Sequence, residues 1–160
     1  MSLKSMLLSA LAALSAAFTL GAAAQLPYGS SVTLEQAQKA AAAAAAEARR
    51  NNWFMAIAVV DTAGDLVLLH KMDNTQFGSI NIATGKARSA ARFKRPTKVL
   101  QDLLAKGSEF TYLLSLEGAV LVQGGIPIVM DGKIVGAIGL SGATGPQDVQ
   151  CAEAGLAALK

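Results

Sequence analysis

The sequence predicts an α+β domain in which an antiparallel sheet is packed against helices. Strand-length hydrophobic segments are joined by tight turns, at Ala63-Gly64-Asp65 and at Asp131-Gly132, and turns of this kind connect antiparallel strands. Segments with apolar residues at helical spacing precede, separate and follow these strands. Hairpin-linked strands with helices on their faces argue against a parallel, Rossmann-type sheet.

Length and composition agree with one domain. The chain has 160 residues, of which 52% are hydrophobic and 5% aromatic, which excludes a disordered acidic or basic tail protein. The chain has fourteen Lys and Arg residues and eleven Asp and Glu residues, which gives a formal net charge of +3. So small a charge, with few aromatic side chains to stack on bases, predicts no nucleic-acid partner.

Residues 1–24 have the three-part layout of a secretory signal peptide. A positive start that includes Lys4 precedes the apolar run Met6–Leu20, and Ala22-Ala23-Ala24 supplies a small-x-small cleavage pattern. We expect cleavage before Gln25, leaving a domain of residues 25–160 that is exported, to the periplasm or beyond the cell. The alternative is an uncleaved membrane anchor. No later segment is predicted to span a membrane, because charges, Gly or Pro interrupt each apolar stretch.

The first helix is predicted from Thr33 to about Arg50, after a short mobile lead-in. Thr33 and Gln36 form a capping-box pattern. Small residues recur on one face at spacings of three and four, which predicts a helix that packs closely against its neighbour. With Leu34 they are Ala37, Ala41, Ala45 and Ala48.

Five strands and three further helices follow in the prediction. The strands are Trp53–Asp61, Leu66–Met72, Val120–Val122, Ile126–Met130 and Lys133–Leu140. The helices are Ser79–Phe93, which Pro96 ends, Thr97–Lys106 and Gln147–Leu159. Ser108–Ser115 fits neither pattern.

The chain contains one histidine and one cysteine, so a zinc site built from clustered Cys and His is excluded. His70, at the end of the second strand, is either a structural residue, an axial haem ligand or a general base. No G-x-S-x-G motif supports a hydrolytic triad. Cys151 is either a small buried hydrophobe, a metal or haem ligand, or half of an intermolecular disulfide.

Basic residues are concentrated on the second helix. No acidic residue occurs between Asp73 and Asp102, while six Lys and Arg residues do: Lys86, Arg88, Arg92, Lys94, Arg95 and Lys98. These side chains form either a solvated face or a surface that recognises carboxylates or phosphates.

Glycines precede the last helix. Gly142–Gly145 leads into Thr144-Gly-Pro-Gln147, a second capping-box pattern. Such a turn either permits tight packing or binds an anion through its backbone N–H groups, although its spacing matches no nucleotide-binding motif.

Two long motifs carry a family resemblance. The first joins Met72-Asp73 to the segments 79–91 and Phe93-Lys94-Arg95-Pro96-Thr97-Lys98, and the second joins Gly124–Ile128 to Asp131–Gly142. In this order they resemble the GlcG/HbpS-like family, which includes the C-terminal domain of PduO-type proteins.

The resemblance implies a profilin-like three-layer α/β/α fold with a five-stranded antiparallel sheet, and homo-oligomers. It also implies haem as a cofactor of exported members, while other members accompany glycolate or corrinoid metabolism. Some haem-binding members supply a histidine from the first helix, but Glu35–Arg50 contains none.

From this resemblance and the basic helix we expect a protein that scavenges, buffers or senses haem, with the porphyrin in an apolar pocket. His70 is the expected iron ligand, with Met72, Tyr112 or Thr111 as alternatives, and Lys86, Arg88 or Arg92 would neutralise the propionates. An alternative is an enzyme acting on a hydroxy acid or another small carboxylate, with Asp73 or Glu117 as the base. A ligand-free oligomeric accessory protein is the third possibility.

Overall fold

The computed structural model describes residues 25–160, so the predicted signal peptide lies outside the described residues. These residues form four α-helices, four β-strands and one 3-10 helix. In chain order they are α1 (Leu34–Arg50), β1 (Ala56–Val60), β2 (Leu66–Lys71), α2 (Ser79–Arg92), α3 (Thr97–Leu104), the 3-10 helix (Ser108–Ser115), β3 (Gly125–Met130), β4 (Lys133–Ser141) and α4 (Gly145–Ala157).

The strands form one antiparallel sheet in the order β2-β1-β4-β3. Both predicted hairpins are confirmed, since β1 pairs with β2 and β3 pairs with β4. The central pairing of β1 with β4 aligns Ala56 with Ser141 and Val60 with Ala137. This pairing brings together two segments that lie about eighty residues apart in the chain.

The prediction of a fifth strand at Val120–Val122 is wrong. The backbone N–H of Val120 donates to Ser89 Oγ at 2.8 Å, and that of Gln123 donates to Gln101 Oε1 at 2.8 Å. Side chains of α2 and α3 therefore satisfy backbone groups that a strand would have paired with a neighbour.

The segment before α1 is attached to the sheet, in contrast to the expected mobile lead-in. Gly29 N–H donates to Ile134 O at 2.8 Å, and Val32 N–H donates to Val135 O at 2.7 Å. Tyr28 forms an isolated parallel bridge with Ile134. We call residues 26–32 the N-terminal strap.

Helices cover both faces of the sheet. On one face α1 and α4 pack on each other and on the sheet, enclosing a core that includes Met55, Ile57, Val59, Ile138 and Leu140. On the other face α2 packs through a stripe of small residues, Ala83, Ala87, Ala90 and Ala91, against Ala56, Ala58 and Ala137. The three layers agree with the predicted architecture, although the sheet has four strands.

The helix boundaries follow the predicted signals. Thr33 Oγ1 accepts from Gln36 N–H at 3.2 Å, and Gln36 Oε1 accepts from Thr33 N–H at 2.9 Å, which confirms the first capping box. Ser108–Ser115, which fitted neither pattern, is the 3-10 helix.

Candidate functional site

Two of the predicted site residues lie together, at the end of β2 remote from its hairpin turn. His70 and Met72 line a groove of about 360 Å³ with Arg49, Phe54, Lys71 and Asp73. A second groove of about 350 Å³ lies between α1 and β2, and His70 and Arg49 line it too, beside Ala41, Ala42, Ala45 and Leu68. The imidazole and the guanidinium thus belong to both grooves, which we call the His70 grooves.

Sheet register and helix phase explain this arrangement. His70 is paired with Ile57, whose side chain lies in the core beneath α1, so the imidazole is on the α1 face of the sheet. Because β2 is an edge strand, this half-buried side chain is open to solvent on one side.

Arg49 is a residue that the sequence reasoning missed. It follows Ala41 and Ala45 at intervals of four, so it continues the helix face that lines the groove. This spacing was the available signal. Arg49 also lies in the last turn of α1, where the helix dipole favours a cation.

Lys86 lies elsewhere and is buried. Its ammonium donates to Asp148 Oδ2 at 2.7 Å and to Leu140 O at 2.9 Å, and both side chains of the ion pair are 2% exposed. Burial raises the pKa of the Asp148 carboxyl, although the hydrogen bond and charge of Lys86 act in the opposite direction. This ammonium joins α2 to β4 and α4 and does not face the His70 grooves.

Arg88 and Arg92 hold the turn between β1 and β2. Arg88 Nε donates to Gly64 O at 3.1 Å, and Arg92 Nε donates to Ala63 O at 2.8 Å. This turn and His70 are at opposite ends of the hairpin, and at about 3.3 Å per residue the six residues from Gly64 to His70 extend roughly 20 Å. The structure does not bring these arginines to His70.

The remaining candidates are dispersed. Tyr112 and Thr111 lie exposed on the 3-10 helix, where Thr111 Oγ1 donates to Ser108 O at 2.8 Å. Asp73 lines one His70 groove, whereas Glu117 lies exposed on the loop after the 3-10 helix. The basic face, the glycine turn and a carboxylate base therefore do not form one enzyme site.

The glycine turn before α4 is occupied by the chain's own side chains. Thr144 N–H donates to Gln147 Oε1 at 3.0 Å, and Ala143 N–H donates to Asp148 Oδ1 at 3.3 Å. These two acceptors take the place that an external anion would have at this helix end.

Three further properties of residues 25–160 bear on function. No group of three or more His, Cys, Asp or Glu side chains in this range could hold a metal ion. Cys151 is fully buried, and desolvation raises the pKa of its thiol to about 11. Within the same range, none of the helices combines the length and apolar character needed to cross a membrane.

Comparison with known proteins identifies the family. The family model described as "Haem degrading protein HbpS-like" matches residues 32–157. Protein GlcG of Escherichia coli strain K12 is 39% identical over 95 residues, which are 59% of this chain and 69% of GlcG. The crystal structure of HbpS superposes with a TM-score of 0.77 at 34% identity, over 85% of this chain and 95% of HbpS.

A second solved structure, a PduOC:heme complex, superposes with a TM-score of 0.74 at 25% identity, over 80% of this chain and 94% of that protein. These matches cover nearly all of the described fold and confirm the resemblance carried by the two sequence motifs. The chain belongs to the HbpS-like family.

Proposed function

We propose that this protein binds haem at the His70 grooves. Membership of the HbpS-like family and similarity to a PduO domain solved as a heme complex support a haem ligand. The observation that carries the location is that the chain's one imidazole lines two adjoining grooves between α1 and β2. Neutral imidazole is a common axial ligand of haem iron.

The groove residues fit the chemistry of a flat apolar macrocycle with carboxylate groups. Ala42 and Leu68 provide an apolar wall beside His70. Met72 lies in the neighbouring groove and offers a thioether, another side chain found as a haem ligand. Each groove is near the lower end of the range of about 300–1,000 Å³ typical of small-molecule sites, so the ligand would extend over both.

Arg49 is the residue we assign to a propionate. It lines both grooves, and its guanidinium can bind a carboxylate through two parallel hydrogen bonds. Lys86 is excluded from this role by burial against Asp148, and Arg88 and Arg92 by their position at the hairpin turn. Lys71 lines one groove, but it pairs with Ala56 on the α2 face of the sheet and its Nζ lies 5.8 Å from the centroid of the Phe77 ring, so Arg49 is the cation we assign to this site.

We further propose that the protein is exported and acts as a homo-oligomer in scavenging, buffering or sensing haem. The signal-peptide pattern of residues 1–24 supports export. The profilin-like description and the homo-oligomer remain predictions from the family resemblance. A small anionic ligand at Arg49 is the alternative to haem at the same grooves.

Titration of the purified protein with haem tests the proposal. We expect a Soret band that shifts and saturates at one haem for each chain. His70→Ala should change the position of that band and weaken binding at least tenfold, because the iron loses its ligand. Arg49→Gln should weaken binding by about 1–3 kcal/mol, the range for a hydrogen bond to a charged group, without moving the Soret band.

Arg92→Gln is the matched control for Arg49→Gln. It removes the same charge at the other end of the hairpin, so the haem affinity should stay unchanged. Titration without saturation would contradict haem binding. Saturable binding with an unchanged spectrum in His70→Ala would refute the assignment of the iron ligand.

A further inference from the structure

Four cations at the end of α2 are not neutralised by carboxylates within the described part of the chain. Arg88 and Arg92 belong to the last two turns of α2, and Lys94 and Arg95 follow it directly. The ion pairs of residues 25–160 are Glu47–Arg50, Lys86–Asp148 and Lys98–Asp102, and they include none of the four.

These four side chains are held in place by the fold. Arg88 and Arg92 donate through Nε to the carbonyls of the β1–β2 turn, and Arg95 Nε donates to Phe93 O at 2.9 Å. Lys94 Nζ lies 4.1 Å from the centroid of the Tyr28 ring. The positive charge is therefore ordered before any partner arrives, which lowers the entropic cost of binding.

Exposed apolar side chains of the N-terminal strap lie in the same region. Leu26 is 40% exposed and Tyr28 is 42% exposed. Tyr28 is fixed to the end of α2, because its hydroxyl donates to Ala91 O at 2.8 Å. An aromatic ring beside basic side chains is typical of protein surfaces at a membrane–water interface.

Acidic groups at this end do not cancel the charge. Asp61 Oδ1 accepts from the N–H groups of Ala63 and Asp65, at 2.9 Å in both cases, so this carboxylate belongs to the β1–β2 turn. Asp65 is the second carboxylate of that turn and is exposed. Asp131 and Lys133 also lie beside the strap, and their opposite charges offset each other. Four cations beside the two carboxylates of the β1–β2 turn therefore leave a net positive surface.

We propose that this surface docks onto membranes that contain anionic phospholipids. We call it the basic end and define it as Arg88, Arg92, Lys94 and Arg95 with Leu26 and Tyr28. Each Lys or Arg close to an anionic leaflet strengthens adsorption about fivefold. Stable attachment needs a second contribution beside the charges, and apolar side chains that insert into the membrane supply it.

The position of the basic end gives the docked protein an orientation. The strap directly follows the predicted signal peptide, so the basic end is the part of the domain joined to residues 1–24 before the expected cleavage. The His70 grooves lie at the other end of the β1–β2 hairpin. We infer that the haem site faces away from the membrane. Only this point rests on the proposed function.

Co-sedimentation of the purified protein with lipid vesicles tests this proposal. We expect binding to phosphatidylcholine vesicles that contain about 30% phosphatidylglycerol and none to phosphatidylcholine alone. Binding should disappear when the salt concentration rises from about 0.05 M to about 0.5 M, because screening shortens the range of the attraction. Lys94→Gln with Arg95→Gln should weaken binding about thirtyfold, through the loss of two charges.

Two control variants test whether the charge of the basic end is the cause of vesicle binding. Lys94→Arg with Arg95→Lys keeps both charges and should bind as the natural protein does, which excludes misfolding as the cause of a loss. Lys39→Gln with Lys160→Gln removes two exposed charges elsewhere and should leave binding within about twofold.

Equal binding to both kinds of vesicle, or no loss in the double Gln variant, would overturn the proposal. Absence of vesicle binding at low salt would overturn it too, even if the basic end retained an acidic protein. Haem titration of the same variants keeps the two proposals apart, since haem affinity should stay unchanged in all of them.

Discussion

At the scale of the residue, Lys86 demonstrates how burial decides what a charge can do. Its position in a basic run predicts an anion-binding side chain, yet in the structure its ammonium is 2% exposed and bound to Asp148. A lysine has a long apolar stem, and α2 directs that stem toward β4 and α4, where the ammonium is bound. The spacing of basic residues in the sequence does not indicate that this lysine is buried.

Lys86→Met should therefore destabilise the fold strongly. The free energy of unfolding should fall by about 3–5 kcal/mol, because Asp148 remains as an unpaired buried carboxylate. Adding Asp148→Asn should restore about 2 kcal/mol, since the amide carries no charge and still accepts from Ala143 N–H. Urea denaturation of the natural protein, the two single variants and the double variant measures these changes, and additive losses would contradict a coupled pair.

The stability of Lys86→Met should also depend on pH. Without Lys86, only the backbone hydrogen bonds from Ala143 and Gly142 oppose the effect of burial, so the pKa of Asp148 rises further above its ordinary value of 3.8. A raised pKa in the folded state means that the folded protein holds the proton more tightly. The stability contribution of Asp148 is thus fully present below pH 3.8 and is lost as the pH rises through the folded-state pKa.

The comparison with Lys86→Met/Asp148→Asn isolates this effect from other titrating groups. The difference in urea midpoint between the two variants should widen from about pH 4 to about pH 8. A constant difference would show that the pKa of Asp148 is the same in the folded and unfolded states.

Cys151 should be chemically inert in the native protein. Burial raises the pKa of its thiol to about 11, and the side chain has no exposed surface, so neither thiolate nor access is available near pH 8. A disulfide-exchange reagent such as DTNB should label this thiol only after urea is added. Rapid labelling of the folded protein would contradict the burial of Cys151.

At the scale of the element, α1 depends on small side chains. Ala37, Ala40, Ala44, Ala45 and Ala48 are fully buried against α4 and the sheet. Their size lets the helices approach closely, and a Cβ built on Gly155 of α4 would lie 2.8 Å from Ala40 O. The alanine pattern predicts this packing because spacing defines the buried face of a helix without reference to its partner.

Ala44→Leu should disrupt that contact. We expect a loss of about 1–3 kcal/mol in the free energy of unfolding, because the added volume has no space between α1 and α4. Ala42→Leu is the matched control on the exposed face of the same helix and should change stability by less than about 0.5 kcal/mol. Equal losses in the two variants would indicate an effect of helix propensity instead of packing.

Local elements differ in how far the sequence determines them. The two hairpins and the first capping box are fixed by turn and cap residues within a few positions, and the structure confirms them. Val120–Val122 has strand composition, but Val120 and the following Gln123 donate to side chains of α2 and α3 that are distant in sequence. Strand propensity depends strongly on such context, which explains the wrong prediction.

At the scale of the whole molecule, the N-terminal strap connects separate parts of the fold. It pairs with β4 through backbone hydrogen bonds, reaches α2 through Tyr28, and contacts the β1–β2 turn through a Ser31–Thr62 hydroxyl pair at 3.0 Å. The strap therefore covers the end of the sheet opposite the His70 grooves.

Tyr28→Phe tests the attachment of the strap. Loss of the hydrogen bond to Ala91 O should lower the free energy of unfolding by about 0.5–1.5 kcal/mol. The phenyl ring can still lie beneath Lys94, so amide hydrogen exchange should quicken in the strap and stay unchanged in β1 and β4. Exchange that quickens throughout the sheet would indicate that the strap and the core unfold together.

The sequence alone determined the α+β class, the hairpins, most helix boundaries and the family resemblance, because these depend on local patterns and contiguous motifs. The tertiary structure decided which charges are available. It buried Lys86, tied Arg88 and Arg92 to a turn, and placed Arg49 beside His70. Solvent exposure and side-chain partners arise from contacts between segments far apart in the chain, so residue spacing could not reveal them.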